Sequence, residues 1–312
     1  ANAVQGLRDG GYGDADFDIE VAPLTYEART DECYEITERM HSSKSVIYRT
    51  DSGAELGVHG RGYKPIAPKK IVDTTRTVME RSELNLVGLT ERIRTSHDGA
   101  RCFVQYNLPA HTYETGDGDR ASLSLLSTSS FDGTWPFMIS VAAVQSACTN
   151  LQVFVSGEVA IYKAKHTQSL DIEHGANIIV KSLDVFNNER ELWKAWQGTQ
   201  VRDMEAFYFF ADALDVKLDS KSFSHSYSPA DLLHKLPRRN ENLNYIWRMY
   251  DSIYRNRLGA NWWAVYNAMT DWSTHFGAVR QSSERNIASI QNERQQVIRK
   301  AIKSEPVLRL AA

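Results

Sequence analysis

Asn267, Asp271 and His275 recur at i, i+4 and i+8 in the stretch NWWAVYNAMTDWSTHF, residues 261–276. That spacing lines one side of a helix. An aspartate beside a histidine can orient an imidazole for general-base work. No nucleophile accompanies the pair at any readable spacing, because only the fold brings in the third member of a triad. The opposite side carries Trp262, Tyr266, Met269, Trp272 or Ser273, and Phe276. The expected role of Asn267, Asp271 and His275 is therefore a polar seam, bonded internally, that fixes the helix among its neighbours. Ligand contact and acid–base catalysis by Asp271 and His275 stand as the alternatives.

A second set of residues suggests anion binding. Lys64, Lys69, Lys70, Arg76 and Arg81 surround one predicted helix, and Arg92, Arg94 and Arg101 fall on a predicted hairpin beside it. Arg92 and Arg94 share a strand face at period two, and Arg101 on the returning strand is expected to join them. Lys163 and Lys165 repeat the pattern on a later strand. Cations carried on strands can follow a phosphate backbone, and Phe103, Tyr106 or Tyr113 offers a ring for base stacking. The expected nucleic-acid-binding set is Lys69, Lys70, Arg76, Arg92, Arg94, Arg101, Lys163 and Lys165. A solvated strand face has the same look in sequence.

Other chemistries lack their signatures. There is no phosphate-binding P-loop, no dinucleotide GxGxxG, no HExxH and no GxSxG. The glycines of GVHGRGY (Gly57–Tyr63) lack the Lys-Ser/Thr of a nucleotide loop and read as a bend. The nine histidines include no HxH or HxxxH pair, so no metal and no cofactor is expected. The three cysteines, Cys33, Cys102 and Cys148, are scattered and form no CxxC; buried structural thiols are expected for Cys102 and Cys148, which sit in apolar surroundings.

Composition sets the frame. With 312 residues, 42% hydrophobic and 24% charged, the chain has ordinary globular values. No apolar run approaches the roughly 18 residues of a membrane span, and the first residues lack a signal-peptide pattern. A soluble, intracellular protein without membrane contact is expected. The net charge of −3 is unevenly spread: from Lys217 onward there are 15 Lys/Arg against 8 Asp/Glu, and before it 21 against 31. Much of the acidity precedes residue 36, in Asp9, Asp14, Asp16, Asp18, Glu20, Glu27, Asp31, Glu32 and Glu35. Such an arm can cover a phosphate-binding site, dock on a neighbouring subunit, or fray in solvent.

The positioning elements follow from periodicity. Residues 1–43 read as an irregular acidic arm with one short helix, Asp31–His41. Ser45–Thr50 and Ala54–Tyr63 resemble a hairpin around Asp51-Ser52-Gly53. Pro65 and Pro68 open a helix to about Arg81. Leu84–Ser96 and Arg101–Ala110 form a hairpin at Asp98-Gly99, followed by strands over Ala121–Ser130, from Pro136, and over Gly157–Thr167. From Ile172 the period becomes 3.6. Helices are predicted at Ile172–Gln197, Val201–Leu214, from Ser228-Pro229 to before Pro237, Asn242–Arg257, Asn261–Phe276 and Ser283–Lys303. Strands first and helices after define an α+β fold: an N-terminal antiparallel hairpin-rich sheet with one early helix, then a mostly helical C-terminal half. The expected divisions are arm 1–43, strand-rich core 44–167, and helical region 168–312 packed on the core.

Several stretches together resemble a known family. YRTDSGAELGVHGRGYKPI (Tyr48–Ile66), TSHDGA (Thr95–Ala100), VQSACTNLQ (Val144–Gln152), KHT (Lys165–Thr167) and NWWAVYNAMTDWSTH (Asn261–His275) are similar, in order, to the phage- and plasmid-related family known as a domain of unknown function. The resemblance spans about residues 45–300 and carries no catalytic motif. It implies a mobile-element setting in the cytoplasm of a host bacterium. The outline of hairpins followed by helices also resembles phage single-strand annealing proteins of the Red-beta and RecT group. The leading expectation is a protein that binds single-stranded DNA and promotes annealing and recombination without nucleotide hydrolysis, as a homo-oligomeric ring or filament. The alternatives are a phage structural or host-interaction protein acting by assembly, and an enzyme using Asp271 and His275.

Overall fold

The structure, a computed structural model, describes residues 3–29, 37–115, 118–145, 151–152, 161–164, 172–218, 227–236, 240–277 and 287–309. It is α+β, with strands gathered in the N-terminal part and helices after them. Two compact units divide the chain. One comprises Ala1–Tyr106, Leu125–Ser140 and Ile161–Val180; the other comprises Asn107–Ser124, Val141–Ala160 and Lys181–Ala312.

The first unit opens with helix α1 (Ala3–Asp9) and a 3-10 turn, Gly13–Ala15. Strands β1 (Ile19–Arg29), β2 (Thr37–Arg49) and β3 (Glu55–Gly60) then form an antiparallel meander in the order β1-β2-β3. Ile19 faces Arg49 and Tyr26 faces Met40, with a register shift between Pro23 and Thr25. The helix expected at Asp31–His41 is not what forms: Thr37–His41 belong to β2, and Asp31–Ile36 lie outside the described residues. The expected hairpin into Ala54–Tyr63 is present as β2 and β3.

Phe17, Ile47, Leu56, Ala100 and Phe131 make the buried cluster beneath this meander, with Ile19 and Tyr63 against it. The GVHGRGY bend has a packing role here. A Cβ on Gly57 would strike the carbonyl of Phe131, so only glycine admits that strand to the site. His59 stacks on Tyr63 at 3.8 Å and reaches the same Phe131 carbonyl, while the Tyr63 hydroxyl donates to the Ser130 carbonyl at 3.1 Å.

Helix α2 (Pro68–Arg81) begins on the expected proline and buries Ile71, Val72, Thr75, Val78 and Met79. Strand β4 (Thr90–Ser96) leads through the turn His97–Gly99 into β5 (Arg101–Glu114). His97, Asp98 and Gly99 all have positive φ there, the backbone that a DG turn supplies. With β6 (Arg120–Ser130), β7 (Phe137–Gln145) and β8 (Leu151–Gln152), these make a sheet ordered β4-β5-β6-β7-β8; β9 (Ile161–Ala164) pairs with β7.

The helical elements are α3 (Ile172–Gly198), α4 (Asp203–Ala213), α5 (Pro229–Lys235), α6 (Glu241–Met249), a π turn (Tyr250–Tyr254), α7 (Arg255–Leu258), α8 (Trp262–His275), α9 (Ile287–Ser304) and α10 (Pro306–Arg309). The Asn261 side chain caps α8 by accepting from the Ala264 amide at 2.9 Å. Every residue of α8 from Trp262 through Ser273 is buried, as expected of a helix at the centre of a bundle. Its rings pack against Trp193, Trp196 and Phe209 with centroids 5.1–5.5 Å apart, the range in which offset and edge contacts are favourable.

Candidate nucleic-acid interface

Strand β4 ends the second sheet, and its residues alternate outward and inward. Thr90, Arg92 and Arg94 are exposed, while Glu91 and Ile93 turn inward. Period two thus places both arginines on one solvent face, as their spacing suggested. Lys69 and Lys70 sit in the first turn of α2; Lys70 is exposed and Lys69 partly so.

An N-terminal segment ties α2 and β4 together. Arg76 on α2 donates to the Gly11 carbonyl at 2.6 Å, and the Tyr12 hydroxyl donates to Asp73 at 3.1 Å. The Asp73 hydrogen bond is the main cause that raises the Tyr12 phenol above its ordinary pKa, with burial second. Beyond Tyr12 the sequence DADFD (Asp14–Asp18) alternates. Ala15 and Phe17 are buried at 0% and 3% exposure, while Asp14, Asp16 and Asp18 are exposed. The three carboxylates meet nominated cations. Asp16 and Asp18 lie 3.1 and 3.2 Å from the Lys69 ammonium, and Asp14 lies 3.6 Å from the Arg94 guanidinium. Hydrogen bonds to Asp16 and then Asp18 raise the Lys69 pKa. The acidic run is therefore laid on the first unit rather than frayed into solvent.

Arg76 and Arg101 do not join this face. Arg76 is 1% exposed, and Glu91 holds it by two hydrogen bonds of 2.9 and 2.6 Å. Burial disfavours its charge, but the Glu91 hydrogen bond and charge outweigh that and raise its pKa. A guanidinium so enclosed is screened from a phosphate in solvent, and its bonds to Glu91 tie α2 to β4. Arg101 donates to Asp132 at 2.5 Å and to Thr134 at 3.0 Å, with the Trp135 ring 5.5 Å away. It braces the turn between β6 and β7. Lys163 lies in β9, with only its backbone described, and Lys165 lies outside the described residues.

The nominated seam is in the second unit. Asn267 donates to the Trp263 carbonyl at 2.8 Å, and Asp271 accepts from Tyr245 at 2.5 Å and from Tyr254 at 2.8 Å. Tyr254 ends the π turn, so an irregularity that sequence periodicity does not show delivers one of the two donors. His275 is half-buried at the last residue of α8. Nearby, Arg294 donates to the carbonyls of Trp272 and Phe276 at 2.8 and 2.9 Å, satisfying carbonyls at the end of α8.

Three further features bear on chemistry. Cys102 is buried, and burial pushes its thiol up to about 12; such a thiol is a poor nucleophile. Cys33 and Cys148 lie outside the described residues. A cleft of about 720 Å³ in the second unit has Phe209 and Trp262 in its lining, and its charged groups are Glu205, Asp212 and Glu305 against Lys300. That balance disfavours a phosphate ligand there. Glu189 on α3 is fully buried, and burial lowers the pKa of Arg299 while Tyr266 and Glu189 act in the opposite direction. Sequence reading passed over Glu189, although Phe186, Leu192 and Trp193 at i−3, i+3 and i+4 mark its helix face as apolar.

Among the described residues no helix is long and apolar enough to cross a membrane, and no group of three or more His, Cys, Asp or Glu is placed to hold a metal. These features define an α+β protein with a basic strand face and an aromatic helical unit. Residues 55–293, about three quarters of the chain, match the family model described as Domain of unknown function (DUF932), and the chain belongs to that family. No curated protein and no solved structure matches. The matched span contains Lys69, Arg92 and Arg94 and leaves out the Asp14–Asp18 segment.

Proposed function

We propose that this protein binds single-stranded DNA along the face formed by Arg92, Arg94, Lys69 and Lys70 and promotes strand annealing and recombination without nucleotide hydrolysis. The setting suggested by sequence resemblance is the DNA metabolism of a phage or plasmid in its bacterial host. The observation that carries the reading is the pair of arginines exposed together on an edge strand. The carboxylates that meet this face, Asp14 at Arg94 and Asp16 and Asp18 at Lys69, are solvent-exposed. Cations in that state exchange a carboxylate for a phosphate at small cost, because exposed ion pairs contribute little. Phosphates would sit along β4 and the start of α2, leaving bases free to pair.

The test is fluorescence anisotropy with a labelled single-stranded oligonucleotide across a salt series. Binding on the order of micromolar at low salt is expected, weakening steeply as salt rises. Replacing Arg92 and Arg94 by alanine should weaken binding and flatten the log–log salt dependence by about 1.4, the value for two lost phosphate contacts on a single strand. No binding at micromolar concentration, either by the unaltered protein or by a variant with Asp14, Asp16 and Asp18 replaced by asparagine, rejects the proposal.

A second reading, assembly as the primary role, draws on a different observation. Val21, Tyr26, Met40 and Val58 are large apolar side chains exposed on the meander, and β1 is an edge strand. Exposed edges of this kind invite pairing between copies. If assembly uses this sheet, Tyr26→Glu should shift the protein to a smaller species in light scattering coupled to size exclusion. Charge reversal of Arg92 and Arg94 should leave that species unchanged. An unaltered chain that is monomeric at high concentration removes this reading.

A further inference from the structure

We infer that the DADFD segment is a built-in competitor for the DNA site, with its carboxylates occupying the positions at which phosphates bind. This inference rests on the proposed reading of the β4–α2 face and adds its regulation. The segment is constructed for presentation. Ala15 and Phe17 are buried anchors, and Asp14, Asp16 and Asp18, which alternate with them, are held outward at period two. The chain ahead of them is fixed by the Arg76 hydrogen bond to Gly11 and the Tyr12 hydrogen bond to Asp73. The outward carboxylates meet Lys69 and Arg94, the cations on either side of the segment, at 3.1–3.6 Å.

Occupation of this kind is reversible by construction. The three carboxylates have side-chain exposures of 43–71%, so water and salt screen each pair. Lys69 and Arg94 are long side chains on fixed backbone and can swing from carboxylate to phosphate without unfolding the segment. A strand with consecutive phosphates engages several cations at once and displaces the carboxylates together. A single phosphate engages one cation and faces full competition. The competitor therefore sets a threshold that favours polyphosphate strands over free nucleotides. It lies outside the family-matched residues, whereas the cations lie inside them, so the threshold is imposed on the family domain by the N-terminal segment.

The test compares the unaltered chain with the triple variant Asp14→Asn, Asp16→Asn, Asp18→Asn, which keeps both apolar anchors. A control triple, Glu27→Gln, Glu38→Gln, Glu55→Gln, makes the same change in net charge at exposed positions of the meander. Anisotropy with the labelled oligonucleotide at low salt should show the Asp triple binding roughly three- to thirty-fold more tightly. The control should show much less gain, and adding Lys69→Ala and Arg94→Ala, the two cations the segment covers, to the Asp triple should abolish the gain. If the unaltered chain binds DNA and the Asp triple binds with the same affinity, or if the control gains as much, the competitor is overturned while the DNA-binding reading stands. If neither the chain nor the Asp triple binds, the DNA-binding reading itself fails and takes the competitor with it. Binding by the Asp triple alone supports both.

Discussion

Replacing Arg76 with alanine should lower the stability of the fold by roughly 3–5 kcal/mol, the usual consequence of removing one partner from a buried ion pair. The guanidinium is 1% exposed, and Glu91, its bidentate partner, has a side chain 7% exposed. Alanine at position 76 leaves the Glu91 carboxylate enclosed and without its cation, and also removes the donor to the Gly11 carbonyl. The loss is thus local and electrostatic. Urea unfolding measures it, with Arg8→Ala as comparator, because the Arg8–Glu80 pair is about one third exposed on each side and should cost little. The double replacement Arg76→Met with Glu91→Leu should recover most of the loss, since apolar groups of similar size often substitute for a buried pair. The outcome also decides a functional question. A phosphate ligand at this position would show a flattened salt dependence with stability intact. Stability unchanged on Arg76→Ala overturns the anchoring role.

Arg76 illustrates what the sequence does and does not reveal. Element types were readable because their causes are local. Pro68 and the spacing of Ile71, Val72, Thr75, Val78 and Met79 define α2; Asp98-Gly99 marks the β4–β5 turn; the 3.6 period marks α3, α4 and α8. Which cations are enclosed was not readable, because it depends on partners far along the chain. Arg76 finds Glu91 fifteen residues on, and Arg101 finds Asp132 thirty-one residues on. Arg92 and Arg94 have the same side chain as these two but lie on the outward phase of β4.

The pairing of β1 with the first part of β2 escaped for a different reason. Glu27, Glu38, Arg39 and His41 are all exposed, so the far part of β1 and β2 lacks the alternation that signals a half-buried strand. Its pairing is supplied by the backbone register, Thr25 with His41 through Arg29 with Thr37. The acidic segment was noticed as charge, but its value lies in the buried Ala15 and Phe17 between the aspartates. The period-two pattern of DADFD was present in the letters; the surface it faces was not.

The largest effect in the helical unit is expected at Asp271. Replacing it with alanine should lower stability by about 3–5 kcal/mol, since each hydrogen bond to a charged group contributes about 1.5–3 kcal/mol. Asp271 is 5% exposed and accepts from Tyr245 and Tyr254, the latter 1% exposed. Loss of the carboxylate strands a buried phenol from the π turn, and the register of that turn against α8 loosens with it. A double-mutant cycle isolates this contact from the cavity left by truncation. Tyr254→Phe should destabilise the unaltered chain but have little further effect once Asp271 is alanine. Coupling near zero would mean that the carboxylate does not hold the turn. The same variants separate structure from chemistry. If Asp271→Ala keeps its melting temperature and loses DNA binding or another measurable activity, Asp271 belongs to a functional site. If it melts earlier while the salt dependence of DNA binding is unchanged, the Asn267, Asp271 and His275 stripe is the internal seam of the bundle, and chemistry is to be sought on the arginines of β4.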